Sequence, residues 1–203
     1  MSTHSQCPSL VIYNGASRLQ WSWDHPRHLV FGCNFAYRDW PLTHCWAVDR
    51  MTVAAIRGHD EYADSTCEFW TKQTGLELPP RWQHRPCPGI DSGSAAVSHA
   101  LSLSLAPVIV IGADGVCGGD TDTAYDYRWH GPNSKRQIHH RHRQTLIELS
   151  QENPGRIFLV WDHPVDRLQT IGLAQAKSMF DKYEIIENKH GQTSNSQTEH
   201  QRQ

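Results

Sequence analysis

The run Val108-Ile109-Val110-Ile111 constrains the fold more than any other segment of this chain. Four consecutive β-branched residues favour a strand, and so short a run cannot make a stable helix. Because all four residues are apolar, both faces of the strand must be covered, as in the centre of a parallel sheet. Gly112-Ala113-Asp114-Gly115 follows directly and predicts a turn at the carboxyl end of this strand.

Further short apolar runs predict strands at 9–13, 29–34, 45–49 and 156–160. Helical patterns lie between them: one after the first run, one beginning near Met51, one opened by Asp91 or Ser92 with Ala95 to Leu105 as its apolar face, and two more over 135–151 and 165–183. Prolines interrupt 66–89, which we predict to be irregular despite a strand-like Glu68-Phe69-Trp70. This alternation predicts an α/β fold, a single Rossmann-like domain with a mostly parallel sheet and helices on both faces.

Length and composition fit one domain over 1–187, followed by a disordered polar tail over 188–203. A formal net charge of −2 lacks the basic excess of proteins that coat nucleic acid. No apolar stretch is long enough for a membrane span and no secretory signal is visible, so we predict a cytoplasmic protein. The six cysteines form no C-x-x-C pair, which predicts free thiols.

Polar residues follow several of the predicted strands. Because ligands of parallel sheets bind outside the carboxyl ends of the strands, Asn14 to Ser17, Asn34, Asp49 and Asp114 are expected to meet in one crevice. Two segments, Asn14-Gly15-Ala16-Ser17 and Asp91-Ser92-Gly93-Ser94, stand where helices begin and offer backbone N–H groups to an anion. A plain turn, a helix cap or an Asx turn at Asp114 would explain the same residues without a ligand.

The segment after the fourth predicted strand carries further candidates. Asp120-Thr121-Asp122 has a D-x-D spacing that could hold a divalent metal through phosphates, although a solvated acidic loop is the simpler interpretation, and we expect no metal. The basic run 135–143 holds His139, His140 and His142 and could supply a general base and phosphate-binding cations. A solvated basic face or a metal site would carry the same residues.

Four short blocks together resemble the bacterial sialyltransferases with a single Rossmann-like domain and their hydroxymethylpterin pyrophosphokinase-like relatives. They are Ile12-Tyr13-Asn14-Gly15-Ala16-Ser17, Phe31-Gly32-Cys33-Asn34-Phe35, Ile90-Asp91-Ser92-Gly93 leading through a small-residue helix to Val108-Ile109-Val110-Ile111-Gly112-Ala113-Asp114, and Thr123-Ala124-Tyr125-Asp126 with histidines beyond it. Where the family has a tyrosine after the Gly-x-Asp block, this chain has Gly115-Val116. Where the family has an arginine ahead of the Ser-Gly helix, it has Gly89.

The resemblance implies roles for individual residues. Asn14, Gly15 and Ser17 would lie near the donor phosphate, Asn34 near the nucleotide, and Ser92 and Gly93 near its sugar or base. Tyr125 would hold the leaving phosphate, and one of His139, His140 and His142 would be the general base. From the residues themselves, we expect Asp114 to orient a hydroxyl and Arg136 to stabilise phosphate charge.

These inferences predict a metal-independent glycosyltransferase that uses a nucleotide sugar, with a CMP-sugar among the candidates. The acceptor and a homo-oligomeric state stay open. A non-catalytic nucleotide-binding module is a second hypothesis. A metal-dependent phosphotransferase or hydrolase using Asp114, Asp120, Asp122 and the histidines is a third.

Overall fold

The computed structural model describes residues 7–22, 29–58, 62, 65–75, 78, 81–87, 91–118 and 132–182. Its centre is one sheet whose neighbouring strands are all parallel, in the order β5-β4-β3-β2-β1-β6-β7-β8. The strands are β1 Ser9–Ile12, β2 Val30–Cys33, β3 His44–Trp46, β4 Glu68–Thr71, β5 Trp82–His84, β6 Val108–Ile111, β7 Ile157–Val160 and β8 Thr170–Ile171. This confirms the predicted α/β fold.

The strand order reverses between β1 and β6. Strands β2 to β5 extend the sheet on one side of β1, whereas β6 to β8 extend it on the other side. In register, Val11 of β1 lies opposite Val110 of β6, and both side chains are fully buried. The predicted central position of 108–111, with β1 in the same sheet, is therefore confirmed. A reversal of this kind opens a crevice at the carboxyl ends of the two strands.

Helices cover both faces of the sheet, as predicted. The α-helices are α1 Arg50–Arg57, α2 Ser92–Leu103, α3 Asp114–Cys117, α4 Pro132–Glu152 and α5, residues 173–182; two 3₁₀ helices span Ala16–Gln20 and Ala36–Arg38. Buried residues of α2 and α4 share one core with Val11 and Val110, and those of α1 and α5 share another with Leu10 and Ile109. Among the described helices, none is long and apolar enough to cross a membrane.

Helix α2 packs closely on the middle of the sheet because its inner face is built of small residues. Ala95, Ala96 and Ala100 are fully buried and contact the region of β1, β2 and β3. The helix ends at Leu103, and the guanidinium of Arg156 donates to the carbonyls of Leu101 and Ser104 at this end. Leu105, which we expected on the buried face, lies beyond the helix and is 83% exposed.

Two sequence-based assignments are wrong. Segment 66–89 contains β4 and β5, because Pro79 and Pro80 come between these two strands in the sequence, and Pro86 and Pro88 come after β5. The helix expected over 165–183 begins only at residue 173: Arg167 has a left-handed φ of 60°, and β8 follows that turn. The helix expected after β1 is present as a 3₁₀ helix, Ala16–Gln20. The tail over 188–203 lies outside the described residues.

His99 is buried among aromatic rings between α2 and the sheet. Its Nδ1 accepts a hydrogen bond of 3.1 Å from the Trp46 indole, and its ring centroid lies 4.6 Å from that of Trp70 and 5.0 Å from that of His44. Burial, together with the neighbouring His44 and Arg85, lowers the pKa of His99 to about 3. The folded protein therefore holds this imidazole neutral.

Acid should destabilise the fold through His99. Below pH 6.5, the ordinary pKa of the group, the unfolded chain binds a proton that the folded chain excludes until about pH 3, so the free energy of unfolding falls as pH falls. One such group contributes a slope of about 1.4 kcal/mol per pH unit. In His99→Asn, the amide oxygen can replace Nδ1 as the hydrogen-bond acceptor. The free energy of unfolding, measured with urea between pH 4 and 7, should depend on pH less steeply than in the wild type, by about that slope. The matched control His84→Asn, at an exposed position, should keep the wild-type slope; an equal slope in all three proteins would contradict the prediction.

Candidate functional site

The loops that follow β1 and β6 meet at the point where the strand order reverses. The Gly15 N–H donates to the Gly112 carbonyl at 2.7 Å, and Gly112 has a left-handed φ of 71°. A Cβ added to Gly15 would lie 2.4 Å from the Gly112 oxygen and 2.5 Å from the Asp114 carboxyl carbon. Gly15 therefore allows a backbone approach that no other residue permits.

The Asp114 carboxylate is held by the loop after β1. One oxygen accepts a hydrogen bond of 2.9 Å from the Ser17 N–H, and the other accepts one from the Ser17 hydroxyl. Asp114 is buried, at 6% exposure. The structure thus brings Gly15, Ser17 and Asp114 together as the sequence predicted. The Ser17 N–H, which we expected to bind a phosphate, instead donates to the Asp114 carboxylate of the chain itself.

A second pair of predicted residues joins the end of β2 to the start of α2. The Asn34 side-chain oxygen accepts a hydrogen bond of 2.7 Å from the Ser92 hydroxyl, whose oxygen accepts a bond of 3.1 Å from the Val48 N–H. Asn34 holds a left-handed φ of 54°, which asparagine tolerates better than most residues. Asn14 is half-buried, and Asp49 begins α1 with an exposed side chain. The predicted loops therefore gather along one edge.

Asp91 caps α2. Its carboxylate accepts a hydrogen bond of 2.9 Å from the Ser94 N–H and another from the Ser94 hydroxyl. Asp91 is 8% exposed and Ser94 is fully buried. Gly93 lies against the Tyr13 ring, where an added Cβ would be 2.2 Å from two ring carbons. The sequence left helix capping and ligand binding open for residues 91–94. Capping explains Asp91 and Ser94, whereas a ligand role for Ser92 and Gly93 stays a prediction.

Two thiols and one phenol at this edge remain neutral near pH 7. Burial, followed by Asp91, raises the pKa of the Cys33 thiol to about 12. Burial, followed by Asp114, raises the pKa of the Cys117 thiol to about 12. Burial and Asp91 also raise the pKa of Tyr13 well above its ordinary value. These thiols are free, and their high pKa values make them poor nucleophiles.

The predicted catalytic residues lie in and before α4. Leu146 and Ile147 anchor this helix in the core, and Arg143 lies close enough to Cys117 to lower the pKa of that thiol. The earlier turns of α4, which carry Arg136, His139 and His140, therefore begin beyond the carboxyl edge of the sheet. The side chain of His140 is exposed. The side chains of Arg136 and His139 and the whole of Tyr125, Asp120 and Asp122 lie outside the described residues.

Three residues near this edge escaped the sequence analysis. Arg18 is 1% exposed, its Cβ lies against Gly112, and its guanidinium donates to Asp39 at 2.7 Å. Nothing in the sequence distinguishes it from a surface arginine. Tyr13 is the last residue of an apolar run, so its position predicts a core side chain and gives no sign that its hydroxyl has a role. His163 is exposed and follows β7 at the carboxyl edge of the sheet. Polar residues after other strands were named as candidates, so the same pattern could have identified His163.

Within the described part of the chain, no group of three or more His, Cys, Asp or Glu side chains is arranged to hold a metal ion. Comparison with protein-family models, curated proteins and solved structures finds no match to this chain. The sialyltransferase-like roles of the residues named above therefore stay predictions, and the local geometry must support any function that we propose.

Replacing Gly15 should damage the junction between the two loops. Gly15→Ala forces a methyl group against backbone and a buried carboxylate, so we expect a loss of about 2 kcal/mol in the free energy of unfolding, measured by urea denaturation. Gly58→Ala is the matched control, because Gly58 has a φ of −88° and its added Cβ would lie 3.5 Å from the nearest atom. Its stability should change by less than about 0.5 kcal/mol. Equal effects of the two substitutions would contradict the interpretation of Gly15.

Proposed function

We propose that this chain binds a nucleotide in the crevice between the ends of β1 and β6 and acts as a nucleotide-dependent transferase. The observation that carries the proposal is the Ser17–Asp114 pair, a buried carboxylate held at the reversal point of a parallel sheet. Sheets of this kind bind their ligands in that position. The neighbouring Asn34–Ser92 pair adds hydroxyl and amide groups one strand away.

The charges favour one orientation of the nucleotide. Each Asp114 oxygen accepts one bond from Ser17 and can accept another, so the carboxylate suits the hydroxyl groups of a ribose. A phosphate at the same place would be repelled by Asp114. The basic run 135–143 offers four fixed positive charges, and α4 starts beyond the same edge. We therefore assign the phosphate to the cations of early α4 rather than to Asn14, Gly15 and Ser17.

A glycosyl transfer would use the site as follows. A histidine, His139 or His140 by the sequence prediction, removes the proton of an acceptor hydroxyl. The acceptor oxygen forms a bond to the anomeric carbon while the bond from that carbon to the phosphate oxygen breaks, and the nucleotide leaves with the electron pair. Arg136 and Tyr125 would stabilise the charge on the departing phosphate. His163 is an additional candidate for the base because it follows β7, next to β6.

A binding module without chemistry is the second candidate, and one observation favours it. Ser17 already hydrogen-bonds to Asp114, and Ser92 to Asn34, so these side chains have a structural reason to be present. The same crevice could then hold a nucleotide or a nucleotide-like signalling molecule without turnover.

Nucleotide sugars should bind and be consumed. We expect a panel of CMP-, UDP-, GDP- and ADP-sugars to contain a ligand that raises the melting temperature, since a ligand at 100 times its Kd stabilises a fold by about 2.7 kcal/mol. Release of free nucleotide measures turnover with a mixture of acceptor sugars. Replacing the true base among His139, His140, His142 and His163 by alanine should lower kcat about 100-fold or more. His84→Ala, on the edge strand β5, is the matched control and should leave kcat unchanged.

The outcomes separate the candidates. Turnover that survives dialysis against EDTA supports a metal-independent transferase, whereas turnover restored only by Mg²⁺ or Mn²⁺ would favour the phosphotransferase or hydrolase and point to Asp120 and Asp122. Binding without turnover across the panel would establish the binding module. If neither the panel nor the parent nucleotides bind at millimolar concentration, the proposed function is wrong.

A further inference from the structure

A polar cleft lies beside the core that α1 and α5 share, away from the residues assigned to the nucleotide. Its volume is about 330 Å³, within the range of about 300–1,000 Å³ that small-molecule sites occupy. One wall is the segment that follows β2 and contains the 3₁₀ helix Ala36–Arg38, and the other is the segment that precedes β4. The residues on which the argument rests are Arg38, Asp39, Trp40, Leu42, Ser65 and Thr66.

The first wall is held in place by the chain itself. The N–H groups of Asp39 and Trp40 both donate to the Ala36 carbonyl, at 3.2 and 3.1 Å. The Asp39 carboxylate accepts a hydrogen bond of 2.7 Å from the guanidinium of Arg18. The polar groups of this wall are therefore ordered before a ligand arrives, which lowers the entropic cost of binding.

The rest of the cleft is also fixed. The Ser65 hydroxyl oxygen accepts a hydrogen bond of 3.3 Å from the Cys67 N–H, which holds the turn that leads into β4. Leu42 is buried at 5% exposure and lies on Gly32 of β2, where a side chain would collide with it. The cleft thus has a firm apolar base next to polar walls.

Arg18 separates the cleft from the crevice between β1 and β6. Its Cβ lies against Gly112 at the crevice, and its guanidinium reaches Asp39 in the wall of the cleft. The side chain of Arg18 is only 1% exposed, so it fills the space between the two places. The cleft is therefore a second site, distinct from the one proposed for the nucleotide.

The polar lining indicates an uncharged ligand that carries hydroxyl groups. Arg38 and Asp39 are both exposed and have opposite charges, so together they favour neither an anion nor a cation. The Asp39 side chain is 46% exposed, and its carboxylate can accept more hydrogen bonds than the one from Arg18. Arg38 supplies donors, and the exposed Thr66 hydroxyl can both donate and accept. Hydroxyl groups of a sugar match this mixture because each of them also donates and accepts.

Trp40 supplies the apolar part of the same surface. It is half-buried, packs against the core and lines the cleft. The face of an aromatic ring is negative, so it attracts the weakly positive C–H groups of a sugar ring. A purely apolar ligand would remove water from Arg38 and Asp39 without replacing its hydrogen bonds, which is costly. A small inorganic ion would make no use of Trp40.

We propose that this cleft binds a neutral saccharide, with hydroxyl groups of the sugar on Arg38, Asp39 and Thr66 and one sugar ring against Trp40. The site needs no nucleotide, so the proposal goes beyond the function proposed above and does not depend on it.

The test measures saccharide binding to the full chain by calorimetry and by proton–nitrogen NMR. The probes are maltose, cellobiose, lactose and the disaccharide of N-acetylglucosamine. We expect at least one of them to bind at millimolar concentration and to shift the indole N–H signal of Trp40, which Trp40→Leu identifies by its loss. Trp40→Leu should raise the Kd about fivefold. Trp70→Leu, at a half-buried tryptophan of the other core, is its matched control and should keep the wild-type Kd.

A surface substitution tests the cleft without disturbing the core. Arg38→Ala should raise the Kd about tenfold, because it removes charged hydrogen-bond donors at an exposed position. Arg50→Ala is the matched control: Arg50 is also exposed but begins α1. Its Kd should equal that of the wild type. If Trp40→Leu does not fold, the comparison of these two arginine variants decides.

Three results would overturn the proposal. The first is that no probe binds at millimolar concentration. The second is that a probe binds with the same Kd to Arg38→Ala and Arg50→Ala, which would place the sugar elsewhere. The third is that glycine or inorganic phosphate, titrated in parallel, shifts the Trp40 signal while the saccharides do not, which would show a site for a charged ligand. None of these results bears on nucleotide binding in the crevice.

Discussion

The close contact between the loops after β1 and β6 is the constraint on which the rest of this edge depends. Gly15 and Gly112 bring two backbones within hydrogen-bond distance, and that approach delivers Ser17 to Asp114. The Asp114 carboxylate accepts a hydrogen bond from the Ser17 N–H at the start of the 3₁₀ helix. A phosphate would otherwise be expected at that N–H. One steric requirement thus fixes both the shape of the crevice and the sign of the charge at its base.

Helix α2 repeats the same arrangement on one face of the sheet. Asp91 holds the N–H and the hydroxyl of Ser94, as Asp114 holds those of Ser17. The absence of a side chain at Gly93 lets Tyr13 lie against the first turn, and alanines farther along let the whole helix approach the strands. Two buried carboxylates, each bonded to a serine at a helix start, therefore border the predicted ligand site, and both disfavour direct contact with an anion.

Local pattern was sufficient to predict the architecture, because five of the eight strands, β1, β2, β3, β6 and β7, fall in short apolar runs of the sequence. It failed for β4, β5 and β8, where alternating or very short segments gain their pairing from neighbouring strands. The meeting of Ser17 with Asp114 and of Asn34 with Ser92 followed from topology alone. Their bonding to one another did not, because residue identity does not reveal whether a polar group is satisfied by the chain or left for a ligand.

That distinction separates the polar residues of this edge into two groups. Ser17, Asp114, Asn34, Ser92, Asp91 and Ser94 have partners within the chain, so a ligand must either share their remaining lone pairs or displace an internal bond. By contrast, the buried hydroxyl of Tyr13 makes no hydrogen bond of ordinary geometry in the described chain, although Ser94 lies beside it. Asp114 keeps such lone pairs, because each of its oxygens accepts one bond from Ser17 and can accept a second from a ligand hydroxyl. We therefore expect the hydroxyl groups of the ligand at Asp114 and its charge at the early turns of α4.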